Sequence, residues 1–130
     1  MYDYGDEFRI LVGSTGIEYD PAKDEINRKK HKYSLESAAF ILEREILPFN
    51  ITSSKKSVLF TRDATNNNSE RRFEHLTEDD EKNVVFIVTT MRPNESVRVI
   101  SFRAANPKER QTFYDLCREI IAELSESESE

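Results

Sequence analysis

Residues 84–91 have the sequence VVFIVTTM, a continuous run of apolar and β-branched residues. A run of this kind, without polar alternation, is typical of a central strand that is covered on both faces. The turn Pro93-Asn-Glu and the segment Val97-Arg-Val-Ile-Ser-Phe-Arg103 follow it. Together they predict a hairpin at the centre of a sheet, with residues 97–103 as the partner strand.

Shorter β-type runs precede this hairpin and are separated from one another by polar, turn-forming residues. The charged turn at 78–83 leads directly into the central strand. The predicted short strands are Phe8–Val12, Gly16–Tyr19, Ser57–Thr61 and Arg71–Leu76.

A first helix is predicted from Pro21 to about His31. Asp20 can accept backbone N–H bonds as its cap, and proline fits the first helical position, where no donor is needed. Ala22 and Ile26 are its clear apolar positions, so most of its surface should be exposed.

Two further helices are predicted, with clearer capping residues and with longer runs of apolar residues at helical spacing. Ser34 caps the second, and Pro48 stops it. Asn106-Pro107-Lys108-Glu109 begins the third, with Glu109 placed to bond back to the cap residue. Their predicted core stripes are Leu35, Ala38, Ala39, Leu42 and Ile46, and then Phe113, Leu116, Cys117, Ile120, Ile121 and Leu124.

These elements predict one α+β domain over residues 1–124, an antiparallel β-sheet packed against helices in the order β-α-α-β-β-β-α. Residues 125–130 are predicted to be an acidic, disordered tail. The N-terminus shows no basic leader or long apolar run, so neither a signal peptide nor a membrane span is expected. The single cysteine excludes an internal disulfide and favours the cytoplasm.

The net charge of −6 argues against a nucleic-acid binder, but it conceals a gradient. Residues 1–20 carry −4 and 119–130 carry −5, whereas 21–75 and 97–118 each carry +3. Folding could bring the basic segments together into one positive face. The alternative, which composition alone favours, is an ordinary solvated surface of interspersed charge.

Motifs for several chemistries are missing from the sequence. It has no glycine-rich phosphate loop, no Ser-His-Asp pattern and no H-E-x-x-H motif. His31 and His75 make a weak metal pair, so neither a metal nor a cofactor is expected. Cys117 lies in an apolar stripe and is interpreted as a core residue.

One cluster of residues could act on a phosphodiester: Arg98, Arg103, Glu109, Arg110 and Tyr114. Guanidinium groups bind phosphate bidentately and can stabilise the charge of its transition state, while a glutamate or tyrosine could move a proton. By strand alternation, Arg98 should share a face with Phe102, and Arg103 should lie on the other face. The alternative is a salt-bridge network of Arg98 or Arg110 with Glu109 that ties the helix to the sheet.

The order and spacing of several short motifs resemble the BrnT family, toxins of type II toxin–antitoxin pairs, over about residues 17–115. No single motif is strong, but their combination is specific. The motifs are Ile17-Glu-Tyr-Asp-Pro-Ala-Lys23, Asn27, Lys30-His31, Ser34–Ala38, Glu70–Phe73, Val99-Ile-Ser-Phe-Arg-Ala-Ala105 and Glu109-Arg110 with Tyr114.

The resemblance implies a RelE-like fold and a metal-independent ribonuclease that cleaves RNA, inhibits translation and growth, and does not depend on the ribosome. It also implies a BrnA-like ribbon-helix-helix antitoxin as partner, in a heterotetramer that contacts operator DNA through the antitoxin. Matching positions imply catalytic roles for Arg98, Arg103, Glu109 and His31, and substrate binding by Lys30, Arg71, Arg72, Arg110 and Tyr114. Asp20, Pro21 and Asn27 are interpreted as structural: a cap, a helix start and a local bond.

The chain departs from the family pattern at several points. Lys32 stands where the family usually has glycine, at a position that a helix end would place in a left-handed turn. Tyr19 replaces a tryptophan, and the chain is acidic where relatives are often basic. These departures keep a second hypothesis open, a non-catalytic or degenerate toxin homologue that acts as a protein-interaction module.

Overall fold

The computed structural model describes residues 2, 8, 16–46, 59–65, 71–91 and 96–128. Within these residues the chain forms five strands and three helices in an α+β arrangement. The elements are β1 (Ile17–Tyr19), α1 (Pro21–His31), α2 (Leu35–Ile46), β2 (Phe60–Asp63), β3 (Arg72–Glu78), β4 (Val84–Met91), β5 (Val97–Ala104) and α3 (Pro107–Glu128).

The five strands form one mixed sheet in the order β1-β5-β4-β3-β2. Strands β2 to β5 are an antiparallel meander, as the sequence predicts, but β1 pairs parallel to β5. The prediction of a purely antiparallel sheet is therefore wrong at one edge, and the observed order has one strand more than predicted. The chain leaves β1 through α1 and α2 and enters the opposite edge of the sheet at β2. The meander then returns across the sheet, so β5 arrives beside β1.

A β-bulge in β5 changes which residues share a face. Val88 pairs with Ser101, but the next residue, Thr89, pairs with Val99, so Ile100 is an extra residue in β5. Phe102 consequently packs in the same core as Val99. The extra residue reverses the alternation of side chains along the strand, so Arg98 does not share a face with Phe102 and does not lie opposite Arg103. Both predictions are wrong, because Arg98 and Arg103 project on the same face, that of the α3 core.

Helices cover both faces of the sheet. One core lies between the sheet and the α1–α2 layer and includes Leu35, Leu42, Val85 and the fully buried Phe8. A second core lies under α3. It consists of Phe60, Leu76, Val84, Phe86, Ala105 and Phe113, with Leu116, Cys117 and Ile120 packed against it.

The predicted helix caps are confirmed. The Ala22 N–H donates to Asp20 Oδ1 (2.9 Å), and the Ser37 N–H donates to Ser34 Oγ (3.3 Å). The Glu109 N–H donates to Asn106 Oδ1 (2.8 Å), while Glu109 Oε1 accepts from the Asn106 N–H (2.9 Å). These contacts need only residues that are close in sequence.

The buried face of α1 differs from the prediction. Ala22 and Ile26 are exposed, whereas the polar Asp24 and Asn27 are buried. Asp24 Oδ1 accepts the Leu35 N–H at 2.7 Å, which ties α1 to the start of α2. Polar side chains are favoured on this face because they pair with backbone groups that would otherwise be buried without partners.

Other predicted features are met in part. Leu35, Ala38, Ala39 and Leu42 are buried as predicted, but Ile121 is 63% exposed. Helix α3 continues to Glu128, four residues into the segment assigned to the acidic tail. No helix of the described segments is both long and apolar enough to cross a membrane. The strand predicted at Phe8–Val12, apart from Phe8, and the turns at 13–15, 66–69 and 93–95 lie outside the described residues.

Candidate active site

The face of the sheet that carries α3 continues beyond the core under that helix. Phe60 pairs with Leu76 in this core, and two residues further along the strands Arg62 pairs with Glu74. Because side chains alternate between faces, Arg62 and Glu74 project on the same side as Phe60 and Leu76. A polar surface therefore borders the second core.

Arg62 and Glu74 form an ion pair on this surface, with Arg62 Nε 3.0 Å from Glu74 Oε1. The guanidinium carbon of Arg62 lies 4.8 Å from the centroid of the Tyr2 ring, which also packs against the second core. Burial raises the pKa of Tyr2 to about 12, with Arg62 opposing the rise and Glu74 and Glu109 adding to it. Tyr2 is therefore protonated at neutral pH.

A second ion pair, Arg103 with Glu109, links β5 to the start of α3. Arg103 Nη1 donates to Glu109 Oε1 at 2.7 Å and Nη2 donates to Oε2 at 2.9 Å, a bidentate arrangement. The guanidinium also lies 4.3 Å above the Phe86 ring. The side chains are 29% and 18% exposed, so the pair is partly buried and still reachable from solvent.

The two pairs act on each other electrostatically. Burial favours a higher pKa for Glu109, but hydrogen bonds from Arg103 and the Asn106 backbone, with the charges of Arg103 and Arg62, outweigh it and lower the pKa. The pKa of Arg103 is raised, mainly by the Glu109 hydrogen bond and against the effect of burial, with a further contribution from Glu74. We call Arg62, Glu74, Arg103 and Glu109 the arginine–carboxylate cluster.

His31, the last residue of α1, interacts electrostatically with Arg103 of this cluster. Its pKa is lowered by partial burial and by the positive charges of Lys30 and Arg103. The imidazole is therefore neutral at pH 7 and can accept a proton. Glu109 is a poorer acceptor, because a carboxylate held by a bidentate guanidinium is stabilised in its ionised form.

The structure brings several of the predicted residues to this region. Arg110 follows Glu109 in α3, and its Nη1 donates to the Ala105 carbonyl oxygen at 2.9 Å. Tyr114 is one turn further along and 44% exposed. Arg72 is exposed and lies two residues before Glu74 in β3, on the same face by alternation. Lys30 is exposed beside His31.

Arg98 and Arg71 lie apart from the cluster. Arg98 Nη2 is 3.3 Å from Glu18 Oε1 of β1, and the buried Arg98 Nε has no hydrogen-bond partner within the described segments. At about 3.3 Å per residue, the Cα atoms of Arg98 and Arg103 are roughly 15 Å apart along β5. Arg71 lies 3.6 Å from Asp63 and 5.1 Å from the ring of Phe73 in the first core, on the opposite face.

The pairings differ from the network that the sequence suggests. Glu109 binds Arg103, whereas Arg98 binds Glu18 and Arg110 binds a backbone carbonyl. Sequence reasoning missed Arg62, Glu74 and Tyr2 as members of this surface. Arg62 and Glu74 come together only through the register of β2 and β3, and nothing in the local sequence indicates that register.

His75 and Cys117 have structural surroundings. The two ring nitrogens of the buried His75 each lie 2.9 Å from a threonine hydroxyl, those of Thr61 and Thr89. Cys117 is half-buried against the second core, and burial raises the pKa of its thiol. Across the described part of the chain, no group of three or more His, Cys, Asp or Glu residues could hold a metal ion.

An α+β domain with paired, partly exposed arginines on its sheet and a histidine of lowered pKa at the end of α1 has the types of group that can bind and cleave a phosphodiester. A family model described as the ribonuclease toxin BrnT of type II toxin–antitoxin systems matches residues 19–109, more than half of the chain. The chain belongs to this family. No curated protein matches it at a significant level.

Proposed function

We propose that this toxin cleaves RNA without a metal ion at the arginine–carboxylate cluster, with Arg103 as the main phosphate ligand and His31 as the proton acceptor. The observation that carries the proposal is the position of Arg103. Its guanidinium is partly exposed and is held by Glu109, and its charge contributes, after burial and Lys30, to the lowered pKa of His31. The proposal is supported by this electrostatic interaction between a phosphate-binding group and a histidine that is mainly neutral at pH 7.

The chemistry is a transesterification. Neutral His31 takes the proton of a ribose 2′-hydroxyl while the 2′-oxygen forms a bond to phosphorus. The bond from phosphorus to the 5′-oxygen of the next nucleotide breaks, and that oxygen takes a proton from water. The products carry a 2′,3′-cyclic phosphate and a 5′-hydroxyl, and His31 later releases its proton to solvent.

The arginines stabilise the negative charge that develops on the phosphoryl oxygens. A phosphate group can replace the Glu109 carboxylate on Arg103, because both present two oxygens to the guanidinium fork. In the protein without RNA, Glu109 holds the Arg103 guanidinium in its orientation. The resemblance suggested Glu109 as well as His31 for proton transfer, and the lowered pKa of Glu109 favours His31.

Other exposed residues of this region would bind neighbouring nucleotides. Arg72 of β3, Arg110 of α3 and Lys30 of α1 are exposed and adjoin cluster residues or His31 in sequence, and they would supply positive charge. Tyr114 presents an aromatic ring that can stack on a base. Arg98 is more remote on the same face and would contact a phosphate further along the RNA. Arg71 lies on the opposite face and would be reached only by RNA that passes around the edge of the sheet.

The test is cleavage of a labelled single-stranded RNA by the free protein in EDTA, without ribosomes. Cyclic phosphate ends are expected, and a 2′-deoxy substitution at the cleavage position should block the reaction. Arg118→Ala is a suitable control variant, because Arg118 is 64% exposed and pairs with Asp115 in the same helix. Products with 5′-phosphate ends, or cleavage that requires added metal, would contradict the proposal.

A second candidate, a non-catalytic toxin homologue that acts by binding a partner, is favoured by one observation. Arginines on the sheet already have carboxylate partners, as in the pairs Arg62–Glu74, Arg98–Glu18 and Arg103–Glu109. An RNA phosphate has to displace these carboxylates. Under this alternative the chain binds its antitoxin tightly, and neither the parent nor Arg103→Ala cleaves RNA above the level of a blank preparation.

For the partner we extend the type II assignment to a BrnA-like ribbon-helix-helix antitoxin in a heterotetramer that reaches operator DNA through the antitoxin. Covering partly buried arginines requires acidic or hydrogen-bonding groups, so the antitoxin should present them to Arg103 and Arg110. Co-expression with a ribbon-helix-helix antitoxin of this type, followed by mass measurement of the purified complex, tests the stoichiometry. A complex whose interface leaves both arginines uncovered would contradict the expected contact.

A further inference from the structure

The geometry points to Asn27 as a positioning residue that holds His31 beside Arg103. The inference rests on the proposed function, since it concerns the same site. It gives a positioning role to a residue whose sequence pattern indicates only a local, structural bond.

Asn27 connects α1 to β5 through both ends of its amide. Its Nδ2 donates to the Phe102 carbonyl oxygen at 2.9 Å, and its Oδ1 accepts the Phe102 N–H at 3.3 Å. The same Nδ2 donates to the Tyr33 carbonyl oxygen at 2.8 Å, just after the end of α1. Asn27 is 6% exposed, so these bonds form away from water and are costly to leave unmade.

The strand accepts this side chain because, among the residues that the structure describes, no strand pairs with this edge of β5 at Phe102. β1 pairs with β5 only from Val97 to Val99, three residues before Phe102. Beyond this short pairing, the amide of Asn27 satisfies the N–H and carbonyl groups of Phe102 that a longer β1 would otherwise pair. Helix α1 is thus attached to β5 at the residue that precedes Arg103.

Helix geometry transmits this attachment to His31. Asn27 and His31 are four residues apart, so they lie on the same side of α1, about 6 Å apart along its axis. Fixing Asn27 at Phe102 therefore brings His31 to the part of β5 that carries Arg103. The charged groups that influence His31 are Lys30 from its own helix and Arg103 from β5, in agreement with this placement.

Asp24 provides a matched control on the same helix. It is also buried, at 7% exposure, and its carboxylate accepts the Leu35 N–H. Asp24 connects α1 to α2, whereas Asn27 connects α1 to β5. Asp24→Ala should therefore remove a comparable buried hydrogen bond without freeing the end of α1 from the strand.

The experiment follows the imidazole signals of His31 and His75 by NMR during a pH titration of the parent, Asn27→Ala and Asp24→Ala. The chain has only these two histidines, and buried His75 reports whether the core remains intact. In Asn27→Ala the pKa of His31 should rise towards 6.5, the value of a free imidazole. In Asp24→Ala it should stay at the parental value.

Cleavage kinetics provide the second measurement. Asn27→Ala should lower kcat between about 10- and 100-fold with a much smaller change in KM, because a displaced base affects the chemical step more than RNA binding. The acidic limb of its pH–rate profile should move in the same direction as the NMR titration. Asp24→Ala should keep the parental profile.

Two further variants keep the inference falsifiable. Asn27→Ser, which retains one hydrogen-bonding group, replaces Asn27→Ala if that protein does not fold. In Arg103→Gln the His31 pKa should also rise, but by less than in Asn27→Ala, and adding Asn27→Ala should raise it further, because burial is the larger cause of its lowering. An unchanged His31 pKa in folded Asn27 variants overturns the inference, as does an equal shift in Asp24→Ala. A parent that cuts no RNA refutes the proposed function, while the titration still tests the placement of His31.

Discussion

Arg103 and Glu109 face each other across the junction of β5 and α3, with both guanidinium Nη atoms on the two carboxylate oxygens at 2.7 and 2.9 Å. The same carboxylate accepts the Asn106 N–H and so also caps α3. One glutamate therefore fixes the start of a helix and the orientation of the central arginine. The cap of α3 and the orientation of the candidate phosphate-binding arginine therefore depend on the same side chain.

Replacing Arg103 should abolish cleavage with a moderate loss of stability. Arg103→Ala removes a charge aimed at the phosphoryl oxygens, and a loss of about 10²- to 10³-fold in kcat is expected. It also leaves Glu109 partly buried without its partner, which should lower the free energy of unfolding by about 1–3 kcal/mol. RNA cleavage and urea denaturation measure the two effects.

Arg98→Ala provides the comparison for Arg103. Because Arg98 is roughly 15 Å along the strand from Arg103, its loss should raise KM and leave kcat within about threefold of the parent. Equal losses of kcat in both variants would mean that the reacting phosphate is placed elsewhere on the sheet.

Glu109→Gln should strengthen RNA binding. The amide still offers an oxygen to the Asn106 N–H, so the cap of α3 can persist, but the charge that competes with phosphate for Arg103 is gone. The expected results are a several-fold lower Kd for RNA and a kcat within about tenfold of the parent. Loss of cleavage in a variant that still binds RNA would instead assign the proton transfer to Glu109.

The pH dependence of cleavage should follow His31. Its pKa is lowered in the folded protein, mainly by partial burial and then by Lys30 and Arg103, so the imidazole is mainly neutral at pH 7. The rate should be constant above this pH and fall as acidification protonates His31. The unfolded chain binds this proton more readily, so acidification through 6.5 should also favour unfolding.

His31→Gln separates these effects. The variant should lose cleavage, and its stability should vary less between pH 7 and pH 5 than that of the parent. A parental pH–rate profile in His31→Gln would exclude this histidine as the proton acceptor.

Lys32→Gly should stabilise the protein. Lys32 ends α1 with φ of 65°, and its N–H donates to the Arg28 carbonyl oxygen at 2.8 Å. A side chain in this left-handed region costs about 1 kcal/mol, which glycine avoids. The melting temperature should rise by roughly 3–5 °C for a chain of this size. Lys32→Ala keeps a Cβ atom and should show no such rise, so an equal rise in both variants would contradict the backbone explanation.

Local sequence patterns were enough for the helix caps, the central strands β4 and β5, and the family assignment. Asp20, Ser34 and the Asn106–Glu109 box each act within a few residues, so their contacts depend only on neighbouring backbone. The motifs that indicated Arg103, Glu109 and His31 can likewise be recognised from the order of residues along the chain alone.

The rest of the fold and of the candidate site depends on contacts between distant segments of the chain, which local patterns do not predict. The parallel contact of β1 with β5, the register that joins Arg62 to Glu74, and the bonds from Asn27 to Phe102 link segments that are far apart in sequence. The bulge at Ile100 adds one residue to β5 and reverses the side-chain alternation. The pattern of apolar and polar residues within the strand does not predict this bulge. The partner of each arginine therefore depends on how the strands pair and how the helices pack on them, because ion pairs form between the charged side chains that folding brings together.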